Sequence, residues 1–191
     1  LSLPAAFLAA RMREQPRGGD AATIAGIEFR WCPAGSFQMG SPADEPHRRG
    51  DEAQVSVTIS RGFWIGRTEV TQGQWRRLAG AWPDQAPTAR FGLGDDFPMY
   101  WVNYAEAETF CARLTDNARR AGTLPNGMRV QLPTEAQWEY ACRAGTTTAF
   151  AFGPTLDRSQ ANLALEPHKP GTEPPLSNRG VAVARYRANA W

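Results

Sequence analysis

Two histidines and three cysteines are all that this 191-residue chain offers of the side chains most often recruited as transition-metal ligands or nucleophiles. Cys32, Cys111 and Cys142 are odd in number and form no CxxC pair, which argues against both a disulfide framework and a zinc site. So few cysteines fit a reducing cytoplasm, where they serve as small buried hydrophobes. His47 and His168 read as solvated loop histidines. One-signed charge is also scarce: 21 basic and 19 acidic residues are interspersed and leave a net +2, so the chain has no electrostatic footprint for nucleic acid or an anionic membrane surface. No apolar run approaches the roughly 20 residues of a membrane span. The opening LSLPAAFLAA lacks the basic start and cleavage site of a signal peptide. Neither a G-x-S-x-G elbow nor a G-x-x-x-x-G-K loop is present. Asp44, Glu45, Asp51 and Glu52 carry the acids to gather a hard cation, but a charge run between two strands reads first as a solvated loop.

What the chain does have is an apolar content of 42% with seven tryptophans, enough for the core of one domain. The most informative stretch is RVQLPTEAQWEYACRAG, Arg129 to Gly145. Val130 and Leu132 alternate with polar neighbours as in a half-buried strand, and Pro133, having no N–H, should end the pairing. Thr134 then caps a helix, with Gln137 three residues on to complete a reciprocal capping box. Pro133 and Trp138 suit a hydrophobic staple, Trp138, Ala141 and Cys142 an inward face, Glu139 and Arg143 a pair on the other face, and Gly145 the stop. The device recurs at Thr71 with Gln74, before Trp75, Leu78 and Ala79. It recurs again at Asn103 with Glu106, before Ala107, Phe110, Cys111 and Leu114, with Gly122 as the stop.

Elsewhere, residues 1–22 read as a short Ala-rich amphipathic piece (Leu3, Phe7, Leu8) running into a linker, the end of a connection to an upstream domain; Leu1 in place of Met suggests a piece of a longer chain. The domain is expected over residues 23–191, and from Ile24 the chain becomes strand-like: GIEFRW and SFQMG resemble a hairpin about the PAG turn, and VSVTI and GFWIGRTEV are further extended runs. Long irregular stretches follow Trp82 and Thr146. Strands and helices do not alternate as in a parallel sheet, so the class is α+β, with short helices, a small antiparallel sheet and long loops.

The ordered series MGS (Met39–Ser41), GFWIGRTEVTQGQW (Gly62–Trp75), FPMYWVNYAEAETFCARL (Phe97–Leu114), VQLPTEAQWEYACRAG (Val130–Gly145), FAFG (Phe150–Gly153) and Ala161-Asn162 closely resembles the formylglycine-generating enzyme or sulfatase-modifying-factor family. Leu-Pro-Thr-Glu before a Trp-Glu-Tyr helix, with Glu-Val-Thr upstream, is the specific part. The resemblance covers about Ile24 to Trp191 and implies a C-type-lectin-like α+β fold over residues 23–191, as the N-terminal portion of such a domain. It implies calcium held by the Asn162 side chain, the Leu163 carbonyl and, more loosely, Glu173; the alternative is that Asn162 braces a turn. Relatives continue into Gly-Asn-Val-Trp-Glu-Trp and Gly-Gly-Ser-Trp segments and, in formylglycine generators, a copper-binding cysteine pair. None of Cys32, Cys111 and Cys142 matches those positions, and FAFG replaces the usual Pro-Trp-Gly.

Two functions follow from the resemblance. One is a non-catalytic module within a larger bacterial-type multidomain protein, binding a protein or small-molecule ligand and packing against an upstream domain or the missing C-terminal half of the fold. The alternative is a copper-dependent oxidase converting a substrate cysteine to formylglycine, with its thiolates beyond residue 191. A third, sulfoxide synthesis of the ergothioneine type, needs an iron-binding histidine cluster that His47 and His168 do not supply.

Overall fold

The computed structural model of the protein describes residues 16–163 and 179–191. Strand β1 (Ala21–Ile24) turns at Ala25 and Gly26, both with positive φ, into β2 (Ile27–Cys32), and the two pair antiparallel from Ala21↔Arg30 to Ile24↔Ile27. Positive φ at both corner residues is the geometry of the tightest hairpins, and it is what Gly26 supplies at low cost. Strand β5 (Phe63–Gly66) lies antiparallel on the other side of β2, giving the order β1-β2-β5. Strands β3 (Gly35–Met39) and β4 (Val55–Ile59) form a separate two-stranded sheet.

Two sequence expectations are corrected here. GIEFRW and SFQMG are not one hairpin: both edges of β2 are taken, by β1 and β5, so β3 leaves the sheet after Pro33 and pairs with β4. And ordered pairing starts before residue 23, since Ala21 and Ala22 are in β1 and the Gly19 N–H donates to the Trp31 carbonyl at 3.0 Å. Leu3, Phe7 and Leu8 lie outside the described residues.

Helices α1 (Gln72–Ala79), α2 (Tyr104–Arg120) and α3 (Glu135–Arg143) start where the capping residues place them. Thr71, Asn103 and Thr134 each accept from the N–H three residues on, and the side chains of Gln74, Glu106 and Gln137 return the bond, so all three boxes are closed. Among the described residues no helix is long and apolar enough to cross a membrane.

The three-stranded sheet separates two cores. On one face Ile24, Ile27 and Phe29 pack with Trp75 of α1 and with Phe110, Leu114 and Ala118 of α2. The Trp75 and Phe110 rings lie nearly parallel, 4.9 Å between centroids. On the other face Cys32 packs with Ile59, Tyr140 and Ala141, joining α3 and the β3–β4 pair to the sheet. This α+β arrangement of short helices on a small antiparallel sheet is the expected class.

α3 sits differently from its apolar spacing. Trp138 is 59% exposed, and the inward stripe is instead Ala136, Tyr140, Ala141 and Ala144. The reason is a neighbour: a Cβ at Gly35 would strike the Tyr140 hydroxyl, so the missing side chain in β3 makes the hole that Tyr140 fills. Cys142 is exposed and Cys111 half-buried; only Cys32 is fully buried. Val130 and Leu132 join no ladder: the Val130 N–H donates to Thr115 Oγ1 at 2.9 Å and its carbonyl accepts from the same hydroxyl at 3.3 Å, so α2 takes the bonds a strand partner would.

Candidate functional site

Three side-chain devices shape a face that carries a wide cleft. Glu28 on β2 bridges two arginines, with Arg30 Nη2 at 2.5 Å from one carboxylate oxygen and Arg67 Nη1 at 3.0 Å from the other. Adjacent strand positions bring these charges together, as the β2–β5 register puts Ile65 beside Arg30 and Arg67 just beyond the paired residues. Asn189 is the second device: its Nδ2 donates to the carbonyls of Ala141 and Cys142 at 2.8 and 3.1 Å, satisfying the end of α3, and its Oδ1 accepts from the Trp191 N–H. The Trp191 ring then packs on Tyr140, 4.9 Å between centroids. The third is Asn162, whose Nδ2 donates to the Arg179 carbonyl at 2.8 Å and ties the two described segments together.

Between the β2–β5 arginines and the segment from Gly180 to Trp191 lies a cleft of about 880 Å³. Among the described residues, Arg30, Arg67, Arg185 and Arg187 line it, against the acid Glu69. Arg185 and Arg187 are exposed and form no ion pair among the described residues, while Arg30 and Arg67 are already committed to Glu28. The cleft therefore presents net positive charge on a partly apolar wall that includes Phe152 and Val183. Such a surface suits a ligand with a carboxylate or other anion, since guanidinium groups offer paired donors to planar oxyanions.

None of the three thiols is set up as a nucleophile or thiolate ligand. Burial pushes Cys32 from an ordinary 9.0 up to about 11. Desolvation raises Cys111, with Glu108 adding to it. At Cys142 desolvation again dominates, and the lowering by Arg143 is opposed by Glu139. Cys32 and Cys142 line one small cavity of about 240 Å³, but Cys32 is fully buried and Cys142 exposed, and among the described residues no group of three His, Cys, Asp or Glu gathers there for a metal. The chain's own cysteines do not fit copper.

The three calcium positions fare unequally. Asn162 is exposed and donates its amide N–H to the Arg179 carbonyl, 17 residues on, which leaves Oδ1 with its lone pairs. Leu163 follows it, its N–H donating to the Ala161 carbonyl at 3.1 Å, and Glu173 lies outside the described residues, as does His168. Among the described residues no three His, Cys, Asp or Glu side chains converge as a metal group. Sequence reasoning passed over Arg30, Arg67, Arg185, Arg187 and Asn189. The only local signal was the R-Y-R alternation near the end, and alternation does not say what it faces.

Comparison with known proteins gives a consistent picture. Residues 19–191 match the family described as Sulfatase-modifying factor enzyme 1-like domain. Hercynine oxygenase of Mycolicibacterium smegmatis is 28% identical over 175 residues, covering 72% of this chain and 38% of that protein. Formylglycine-generating enzyme of Mycobacterium tuberculosis is 29% identical over 162 residues, covering 63% and 53%. This chain thus spans about half or less of the length of these curated relatives. In structure, PvdO from Pseudomonas aeruginosa is similar with a TM-score of 0.71 at 26% identity, over 92% of this chain and 70% of that one. Treponema denticola variable protein 1 shares the fold, with a TM-score of 0.51 at 22% identity, over 71% and 60%.

Proposed function

Since this chain belongs to the sulfatase-modifying factor enzyme 1-like family, we propose that it serves as a ligand-binding part of such a domain, taking an anion-bearing peptide or small molecule in the arginine-lined cleft. The observation that carries this is the charge of the cleft among the described residues: Arg185 and Arg187 form no ion pair there, while Arg30 and Arg67 share Glu28 and Glu69 is the acid on the lining. The chemistry is recognition: guanidinium groups pair with carboxylate, and the apolar wall accepts the rest of the ligand. Isothermal titration with an acidic hexapeptide should give binding that its lysine-for-glutamate counterpart lacks. Arg185→Gln with Arg187→Gln should weaken it about tenfold, the loss of roughly 1.4 kcal/mol. Equal binding of both peptides, or of neither, would sink this reading.

A second reading is favoured by the name of one relative, a formylglycine-generating enzyme: that the whole protein oxidises a substrate cysteine. Because the thiols present do not suit copper, this reading places the reactive pair outside residues 1–191. Incubating the full-length protein with copper and a Cys-x-Pro-x-Arg peptide separates the two; mass loss at the peptide cysteine supports the oxidase and displaces pure binding.

Calcium belongs to the proposal as a structural ion, held by Asn162 Oδ1, the Leu163 carbonyl and Glu173. The hard oxygens suit it, and the Nδ2 bond to Arg179 fixes the direction of Oδ1. A terbium luminescence titration, competed by calcium and abolished in Asn162→Ala, is the expected result; no competition at millimolar calcium removes the ion from the account.

A further inference from the structure

Between the end of α2 and the capped start of α3 the chain turns at Leu-Pro-Asn-Gly, Leu124 to Gly127. Asn126 is the one asparagine in the sequence that is followed by glycine. The Met128 N–H donates to the Pro125 carbonyl at 3.2 Å, and Gly127 stands at the third position of that turn with φ +82°, the place a type II turn gives to glycine. Both Asn126 and Gly127 are exposed, and a Cβ at Gly127 would meet nothing within 4 Å. The turn is held on either side, by buried Leu124 and by the bond from Val130 to Thr115, and across its middle by one main-chain bond.

What sets Asn126 apart is its amide. The other described asparagines have their side chains engaged: Asn103 accepts from the Glu106 N–H, Asn117 accepts from Arg120, Asn162 donates to the Arg179 carbonyl, and Asn189 both donates and accepts. Among the described residues no hydrogen bond holds the Asn126 side chain or the Gly127 N–H. An electrophilic side-chain carbonyl and a main-chain nitrogen are therefore neighbours in sequence, in contact with water, and unscreened by any side chain at residue 127. A four-residue turn closed by one bond opens locally at little cost, so the two can reach attack geometry without unfolding α2 or α3.

We propose that Asn126–Gly127 is a site of spontaneous covalent modification in the folded protein, and that its isoaspartyl product loosens the fastening of Val130 to α2. The Gly127 nitrogen attacks Asn126 Cγ: the N–Cγ bond forms, the Cγ–Nδ2 bond breaks, and the proton leaves with the side-chain nitrogen as ammonia. Water then opens the five-membered imide at one of its two carbonyls. Opening at Cγ gives aspartate on an ordinary main chain, whereas opening at the main-chain carbonyl gives isoaspartate, whose chain runs through Cβ and is one atom longer. The sequence of steps consumes water alone and changes no oxidation state. Both products place a carboxylate where a neutral amide stood, but only isoaspartate lengthens the path from Leu124 to Val130. The Val130 N–H bond to Thr115 Oγ1 at 2.9 Å and the Arg119 Nη2 bond to the Met128 carbonyl at 3.3 Å both lie within four residues of the added atom, so the shift falls on them.

The test ages the full-length protein at pH 8 and reads its tryptic peptides by mass spectrometry, with fragmentation that separates isoaspartate from aspartate. Conversion should appear at Asn126 with isoaspartate the larger product, at a rate within about tenfold of that in the free peptide Ala121–Arg129. It should vanish in Asn126→Gln, whose amide would have to close a six-membered ring. The Val130 amide should exchange severalfold faster in the aged protein than in Asn126→Asp, which carries the charge without the added atom, while the α3 amides keep their protection. The proposal is overturned if Asn126 in the protein converts more than about tenfold slower than in the peptide, since the fold then shields it. It is also overturned if aspartate alone forms, the mark of direct hydrolysis, or if Val130 exchanges equally in the aged protein and in Asn126→Asp.

Discussion

Gln72 shows how much a single residue can hold. It is 1% exposed, and its amide is fully used: Nε2 donates to the carbonyls of Gly92 and Pro98 at 3.0 and 3.1 Å, and Oε1 accepts from the Gly94 N–H. An irregular loop has thus been given a helix side chain in place of a ladder. Gln72→Leu keeps the volume but strands the Pro98 carbonyl and the Gly94 N–H, while the Gly92 carbonyl keeps its bond from the Tyr100 hydroxyl at 3.2 Å, and urea titration should show a loss of about 2–3 kcal/mol. Cys32 gives a pH prediction of definite sign. Its thiol binds the proton more tightly in the folded state, so its contribution is complete below pH 9 and is lost as pH rises through about 11. Over that window stability should fall by about 2–3 kcal/mol, and the fall should vanish in Cys32→Ala measured against its own pH 8 value. Iodoacetamide at pH 8 should label Cys142 first and Cys32 only with unfolding, which peptide mapping would read.

At the scale of elements, the three capping boxes were legible because each is a local exchange between residues three apart. What α3 rests on was not. The expected pair of Glu139 and Arg143 forms at 2.8 Å, but it is not a surface ornament: Glu139 also accepts from the Gly40 N–H at 2.9 Å and Arg143 donates to the Gly40 carbonyl at 2.9 Å. The pair therefore clamps β3 to α3 across about a hundred residues of chain, with side chains only 16% and 21% exposed. Gly40 itself is fixed, since its φ is positive and a Cβ would meet the Glu52 and Ala53 carbonyls at 2.8 Å. Glu139→Ala and Arg143→Ala should each cost about 2–3 kcal/mol, and the double variant clearly less than the sum, because either loss already frees Gly40. Equal and additive losses in thermal unfolding would mean the two act separately.

For the molecule as a whole, long-range fastening replaces long ladders. The segment ending in Trp191 has no regular structure, yet it is held by Asn189 at the end of α3 and by the Trp191–Tyr140 contact, and it forms one wall of the arginine cleft. Asn189→Ala removes those bonds and should cost about 1–2 kcal/mol. Its more telling effect should be local: trypsin should cut after Arg185 and Arg187 several times faster than in the parent chain, while cleavage within α2 stays slow. Unchanged cutting at Arg185 and Arg187 would show that the wall is held by something other than Asn189.

The sequence by itself determined what depends on neighbours in the chain: the starts of α1, α2 and α3, the strand character of β2 to β5, the α+β class, and, through the ordered motifs, the family. Partner choice among strands was decided only in three dimensions, because alternation says that a strand has two faces but not which edge meets which. That is why β2 and β3 part, and why Val130 bonds to a helix hydroxyl. Trp138 faces outward for a related reason: spacing allowed two stripes, and the hole over Gly35 selected the one with Tyr140. The cleft is likewise tertiary, since Arg30 and Arg187 are brought to one face by the β2–β5 register and by the Asn189 fastening, and side chains so far apart in sequence leave no periodic trace to read.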